Sequence, residues 1–253
     1  MLPSQSDSLS TAQPGLVPEV AARAGSAITH AHAVRRMFDR ISPTYDLLNR
    51  LLSFGIDRSW RARALELLAR DLPDGAILDV CAGTLDLSQA LCARWPERRV
   101  VALDFARDML VAGRSKASGA LLAVGDAMQL PIRGSSVAGF VCGFGIRNLS
   151  DPHAGLREAA RVLRPGGVCI VLEFFRPVTA ATRIFHGVYA QIVLPVLGRL
   201  VSGDGEAYRY LSRSMRGFMS RTELEAAMRD AGFREVQGFD LTFGVASIVR
   251  GVR

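Results

Sequence analysis

The chain has 253 residues, 49% of them hydrophobic and 22% charged, with a formal net charge of +7. This is the balance of a globular protein with a sizeable core, and no uncharged apolar run of about 18 or more residues offers a membrane span. The positive charge favours anionic partners, but 30 of the 31 basic residues are Arg, Lys116 being the exception, a pattern that a compositional bias explains equally well.

Residues 1–29 are rich in Ser, Ala, Pro and Gly, lack periodicity and carry no signal-peptide pattern, so they are expected to form a disordered tail. A single domain is expected over 30–253. It opens with helical stretches: AVRRMFDRIS, ending before Pro43; YDLLNRLLSFG, ending near Gly55; and DRSWRARALELLARDL, stopped by Pro73. Residues 31–70 hold eight Arg against four acids, a net +4.

Strands and helices then alternate. AILDVCA, RVVALD, ALLAVGD, VAGFVCGF and VCIVLEF read as five short apolar strands. DLSQALCARWP, ARDMLVAGRSK and PHAGLREAARVLRPGG read as helices between them, the last stopped by Pro-Gly-Gly. The pattern predicts an α/β fold with a mostly parallel sheet covered on both faces. Residues 180–218 read as mostly helical, SRTELEAAMRDAGF as a helix with a Ser-x-x-Glu capping box, and REVQGFDLTFGVASIVRGV as a closing hairpin. Cys81, Cys92, Cys142 and Cys169 match no metal-ligand spacing and read as small apolar residues in a reducing cytoplasm; no metal site is expected.

The chemistry is concentrated at the strand ends. The first strand runs into DVCAGTLDLS, an acid (Asp79), a glycine (Gly83) and a helix start, the layout of a nucleotide-cofactor turn. Asp104 ends the second strand, where a carboxylate suits a ribose diol, and Asp126 ends the third, where it suits an adenine amino group. The first turn alone is matched by many plain packing turns. Three acids in order point to adenosine bound without pyrophosphate, and the three-glycine dinucleotide fingerprint is absent. S-adenosylmethionine fits that description, as does a sheet closed by an antiparallel C-terminal strand.

Five segments carry a more specific likeness: FDRISPTYDLLNRLLSFGIDRSWR, FGIRNLSDP, RVLRPGG followed by VLEFFRP, YRYLSRSMRGF, and DLTFGVASIVRG. With these in order the chain resembles the ubiquinone/menaquinone biosynthesis C-methyltransferases, of the demethylmenaquinone methyltransferase kind, over about residues 34–253. The resemblance implies a Rossmann-like class I methyltransferase fold of seven strands, with helical additions at the N-terminus and over 180–218 on the substrate side. It implies S-adenosylmethionine as cofactor, with Asp79, Gly83, Thr84, Asp104, Asp126, Ala127 and Gly143 at its site. It implies a polyprenyl quinol as acceptor, with Arg147 and Asn148 as the catalytic pair and Tyr208 and Tyr210 at the substrate.

Methylating a quinol ring carbon requires the electron density of a phenolate, and a phenol ionises only near pH 10, about three units above neutrality. A buried Arg147 would stabilise that anion; it would not take the proton itself, which falls to a water or a nearby carboxylate. Four positions depart from the family pattern. Leu85 replaces a Gly and is expected to crowd the cofactor's methionine part; Gly143 replaces a Ser; Asp57 and Val249 each replace a His. Two other readings remain open: a methyltransferase acting on another phenolic or terpenoid lipid, and a non-catalytic cofactor-binding scaffold. The expected location is cytoplasmic, with a peripheral contact at the inner face of the membrane and a homodimer as open expectations and no nucleic-acid partner.

Overall fold

A computed structural model of the chain describes residues 34–40, 42, 53, 55–176, 210 and 213–253. Its strands are β1 (Ala76–Val80), β2 (Val100–Asp104), β3 (Ala120–Val124), β4 (Val137–Gly143), β5 (Leu163–Glu173), β6 (Arg234–Leu241) and β7 (Ala246–Val252). Its helices are α1 (Asp57–Ala69), α2 (Asp86–Arg94), α3 (Arg107–Gly113), α4 (Pro152–Val162) and α5 (Arg221–Asp230), with a further helical turn over 34–40. The strands form one sheet in the order β3-β2-β1-β4-β5-β7-β6. Strands β1 to β5 pair in parallel, and β7 runs antiparallel to both of its neighbours. The expected tail, most of the second helical stretch and residues 180–209, Tyr208 among them, lie outside the described residues.

The core is two apolar layers, one on each face of the sheet, because successive strand residues point to opposite sides. Leu78 and Val80 of β1, with Cys169 and Val171 of β5, pack with Leu156, Ala159, Leu224 and Met228 of α4 and α5. Ile77 of β1, with Val168, Ile170 and Leu172 of β5, packs with Trp60, Ala64, Leu68 and Leu91 of α1 and α2. The capping box of α5 forms as its sequence requires: the Glu223 N–H donates to Ser220 Oγ (3.3 Å) and the Ser220 N–H to Glu223 Oε2 (2.6 Å). In α4, Pro152 occupies the first turn and Asp151 accepts from the Ala154 N–H (3.1 Å).

Two expectations need correction. Helix α4 ends at Val162, five residues before Gly167, because the residue preceding Pro165 avoids the helical region and the chain is already extended at Leu163. Leu163 pairs with Val137, so Arg-Pro-Gly-Gly enters β5. The sheet is also not covered on both faces throughout. No helix follows β3, whose chain crosses to β4 through residues 125–136, and Leu121 and Val124 remain 55% and 53% exposed on this edge strand.

Candidate active site

Parallel strands deliver their C-terminal ends to one edge of the sheet, and the turns there enclose a pocket of about 800 Å³, its open mouth included. Cys81 and Gly83 come from the turn after β1, Asp104 to Ala106 from the end of β2, Gly125 to Met128 from the end of β3, and Gly143 to Gly145 from the end of β4. Val34, Arg35 and Phe38 close one wall from the N-terminal helical turn, with Arg35 lying over the Phe105 ring at 5.5 Å.

Asp104 organises this pocket. Its Oδ2 accepts from the Gly83 N–H and its Oδ1 from the Ala106 N–H, both at 2.8 Å. The carboxylate thus ties β2 to the glycine turn in one fixed orientation and keeps lone pairs free for ligand hydroxyls. Burial raises its pKa, and these amide hydrogen bonds oppose the rise. Asp126 is steadied similarly, its Oδ1 accepting from the Met128 N–H at 2.8 Å. Asp126, Ala127, Gly83 and Gly143 line the pocket with Asp104.

Asp79 and Thr84 are placed differently. Both are buried, and neither is among the residues that line the pocket. Asp79 Oδ2 accepts from Ser88 Oγ at 2.6 Å, while Oδ1 has no partner among the described residues. Complete burial pushes its pKa up to about 7 against the hydrogen bond from Ser88, and the charge of Asp104 adds to the rise.

Leu85 does not crowd the pocket. Its backbone is left-handed (φ 69°), the conformation that favours Gly, and this turns the side chain away into a fully buried cluster with Ala102, Leu110 and Ala117. The glycines after β4 serve protein packing as well as ligand approach. A Cβ on Gly143 would lie 2.5 Å from Leu87, and one on Gly145 only 2.2 Å from the Cβ of Cys81. Of the other departures from the family pattern, Val249 is fully buried in β7. Asp57 accepts from Ser53 Oγ at 2.7 Å and pairs with Arg61, which reaches on to Asp86 at 3.2 Å and so ties α1 to the start of α2.

Arg147 lies in a short helical turn, Ile146–Asn148, next to the pocket wall. It pairs with neither Asp151 nor Asp104. Its Nη1 donates to Glu173 Oε1 (2.5 Å) and to the Phe144 carbonyl (2.6 Å), and its guanidinium stands 5.8 Å from the centre of the Phe174 ring. The Nε is buried without a partner among the described residues. Asn148 lines the pocket, and its Oδ1 accepts from the Tyr210 hydroxyl at 3.0 Å. Burial raises the Tyr210 pKa, Arg147 opposing and Glu173 adding to the rise. The sequence thus brings Arg147, Asn148 and Tyr210 together. It gives no comparable signal for Glu173 as their carboxylate, nor for Val34, Phe38, Phe105, Met109 and Met128 as pocket walls. The segment FDRISPTYDLLNRLLSFGIDRSWR, which begins at Phe38, is the one clue to that N-terminal wall.

A seven-stranded sheet with an antiparallel inner strand and an acid-lined pocket at its C-terminal edge is the architecture of class I methyltransferases. Solved structures with this fold include a possible histamine N-methyltransferase from Thermotoga maritima, with a TM-score of 0.60 and 21% identity over 86% of this chain and 98% of that one. The [4+2]-cyclase SpnF has a TM-score of 0.63 and 17% identity over 88% of this chain and 96% of its own. Among relatives by sequence, a demethylmenaquinone methyltransferase of Thermus thermophilus is 46% identical over 86% of this chain and 100% of its own length. A ubiquinone/menaquinone biosynthesis C-methyltransferase UbiE of Syntrophotalea carbinolica is 42% identical over 87% of this chain and 93% of its own. The model of the ubiE/COQ5 methyltransferase family matches residues 26–253, and the chain belongs to that family of methyltransferases.

Proposed function

We propose that the protein transfers a methyl group from S-adenosylmethionine to a ring carbon of a polyprenylated quinol, a demethylnaphthoquinol or a pathway benzoquinol. The observation that carries this reading is the buried Arg147, whose Nε has no partner among the described residues and whose chain neighbour Asn148 lines the pocket and accepts from Tyr210. That is a donor set suited to an acceptor's phenolic oxygen, and the relatives' names support the same acceptor class.

The pocket suits the cofactor in its donor chemistry. Asp104 would hold the ribose diol, Asp126 an adenine amino group, and Phe38, Phe105 and Met109 supply apolar walls for the base. When bound, S-adenosylmethionine supplies an electrophilic methyl carbon. The chain's own residues then prepare the acceptor. Arg147 favours the phenolate over the phenol, in a site where low exposure strengthens the interaction. Glu173 fixes the guanidinium from the far side, and Asn148, oriented by Tyr210, fixes the ring. The phenolic proton leaves to water, since the guanidinium does not accept it; the hydrogen on the methylated ring carbon would leave as a proton in turn to restore the aromatic ring, with S-adenosylhomocysteine as the other product.

The test uses purified protein, methyl-labelled S-adenosylmethionine and short-tailed forms of both quinols. Label is expected in the ring of at least one. A folded, cofactor-binding protein that labels neither overturns the proposal.

A further inference from the structure

Strands β6 and β7 are joined by a turn of unusual geometry. Thr242, Phe243 and Gly244 follow one another at φ 45°, 57° and 84°, three left-handed residues of which only the last is a glycine. The middle one, Phe243, is 98% exposed. A hairpin turn calls for left-handed residues, but a bulky aromatic is poorly suited to that conformation, and this ring buries nothing against the described residues; such strain concentrates where a turn has another task.

The turn's position supplies the task. Leu241 pairs with Ala246, and Glu173 with Ser247, so the turn projects from the same edge of the sheet that carries Arg147 and the pocket. It is fastened there. The Trp60 indole N–H donates to Thr242 Oγ1 at 2.8 Å. Trp60 packs edge-on against Phe174 at 5.8 Å, and Phe174 lies under the Arg147 guanidinium. Phe243 is therefore connected to Arg147 through a short rigid chain of contacts. Through the Trp60 bond the turn also meets the start of α1, where Ile56 is 40% exposed and the exposed Arg58 carries no ion pair among the described residues.

We propose that Phe243 is a bilayer anchor. The turn inserts this ring at the headgroup–acyl boundary of an anionic membrane, where aromatic side chains partition best, and Arg58 meets lipid phosphate beside it. No helix among the described residues is long and apolar enough to cross a membrane, so attachment by this route is peripheral. The proposal rests on the quinol reading only for its purpose: a lipid-tailed acceptor has to pass from the bilayer to the rim that Phe243 occupies.

The test is flotation of the full chain with vesicles of phosphatidylcholine, with and without phosphatidylglycerol, for wild type, Phe243→Gly and Arg58→Ala. Glycine suits the left-handed backbone, so Phe243→Gly is expected to melt no lower than wild type. Its partition onto the mixed vesicles is expected to fall about tenfold, by loss of an aromatic side chain from the apolar boundary. Arg58→Ala is expected to reduce the dependence on phosphatidylglycerol. Phe243→Trp is expected to gain a blue-shifted emission on vesicles that wild type lacks. Turnover of a long-tailed quinol in vesicles should fall in Phe243→Gly while turnover of a short-tailed soluble quinol is kept. Equal flotation of wild type and Phe243→Gly, no flotation of wild type, or no shift for the introduced Trp overturns the anchor. Flotation that depends on Phe243 without methylation of either quinol leaves the anchor standing and removes the acceptor reading instead.

Discussion

Nη1 of Arg147 and Oε1 of Glu173 lie 2.5 Å apart, with the two side chains 6% and 0% exposed. Burying such a pair makes the partners depend on each other: removal of one leaves an uncompensated charge in a low dielectric. Stability and turnover are thus entangled at Arg147, and single substitutions there report both.

Arg147→Ala is expected to destabilise the fold by about 3–5 kcal/mol, the cost of stranding the Glu173 carboxylate. Arg147→Ala with Glu173→Gln should recover most of the melting temperature, because the stranded charge is gone. Turnover of the double variant should stay down by about 10²- to 10³-fold, the usual effect of losing one donor to a developing oxyanion. Arg147→Lys should retain part of it, and raising the pH toward 10 should partly rescue the double variant as more acceptor ionises in solution. Thermal melts with turnover against pH check this; wild-type turnover in the folded double variant removes Arg147 from the chemistry.

Asp104→Ala is expected to weaken S-adenosylmethionine binding by about 3 kcal/mol, roughly a hundredfold, through two lost hydrogen bonds to a carboxylate. The substitution also frees the Gly83 and Ala106 amides, which Asp104 holds. Asp104→Asn keeps the shape but sets its NH2 against the Gly83 or the Ala106 N–H, so it too is expected to lose affinity, by less than Asp104→Ala. Titration calorimetry decides: unchanged affinity in a folded Asp104→Ala protein excludes the carboxylate from the site.

Leu85→Gly relieves a left-handed backbone but empties a fully buried position. Relief is worth about 1 kcal/mol and the lost side chain costs about 3–4 kcal/mol, so a net destabilisation of about 2–3 kcal/mol is expected. Cofactor affinity of the folded variant should stay within about twofold of wild type, since Leu85 is not in the pocket wall. A variant as stable as wild type contradicts the packing role; one with altered affinity contradicts the placement.

Asp79 gives a pH prediction. Its folded pKa of about 7 stands above the ordinary 3.8, so between these values the folded protein holds a proton that the unfolded chain has released. Stability from this group is present at low pH, declines as pH rises from about 4 to 7, and is flat above, a difference of a few kcal/mol. Asp79→Asn should therefore melt higher relative to wild type at pH 8 than at pH 5. An equal offset at both pH values shows that Asp79 does not titrate in this window.

Asp104 and Asp126 were readable from the sequence because their positions follow from chain geometry alone: a buried parallel strand must end at the ligand edge, whatever packs around it. Leu85 was not. Its direction is set by a single backbone angle, and a left-handed turn sends the side chain to the opposite side from the one a linear reading assigns. Glu173 was readable as the end of a strand but not as the partner of Arg147, because that pairing requires β4 and β5 to be neighbours in a fixed register. The overextended α4 arose from reading Pro-Gly-Gly as a helix stop, whereas the constraint acts on the residue before the proline. The uncovered β3 follows from a missing helix, which no strand's own apolar pattern reveals.

The order β5-β7-β6 also fixes a sequence of events in folding. Strand β6 touches the sheet only through β7, so it cannot join ahead of β7, as chain order would have it. The two arrive either as a preformed hairpin, a matter of microseconds to form, or with β7 first, and in both cases β7 has to dock on β5 across a long stretch of intervening chain, a slower encounter. Until it docks, Val168–Leu172, a run buried throughout in the finished fold, presents an unpaired edge. That interval is when another unfinished molecule can take the place of the hairpin, and the rate of docking sets how much of the newly made protein is lost to aggregation.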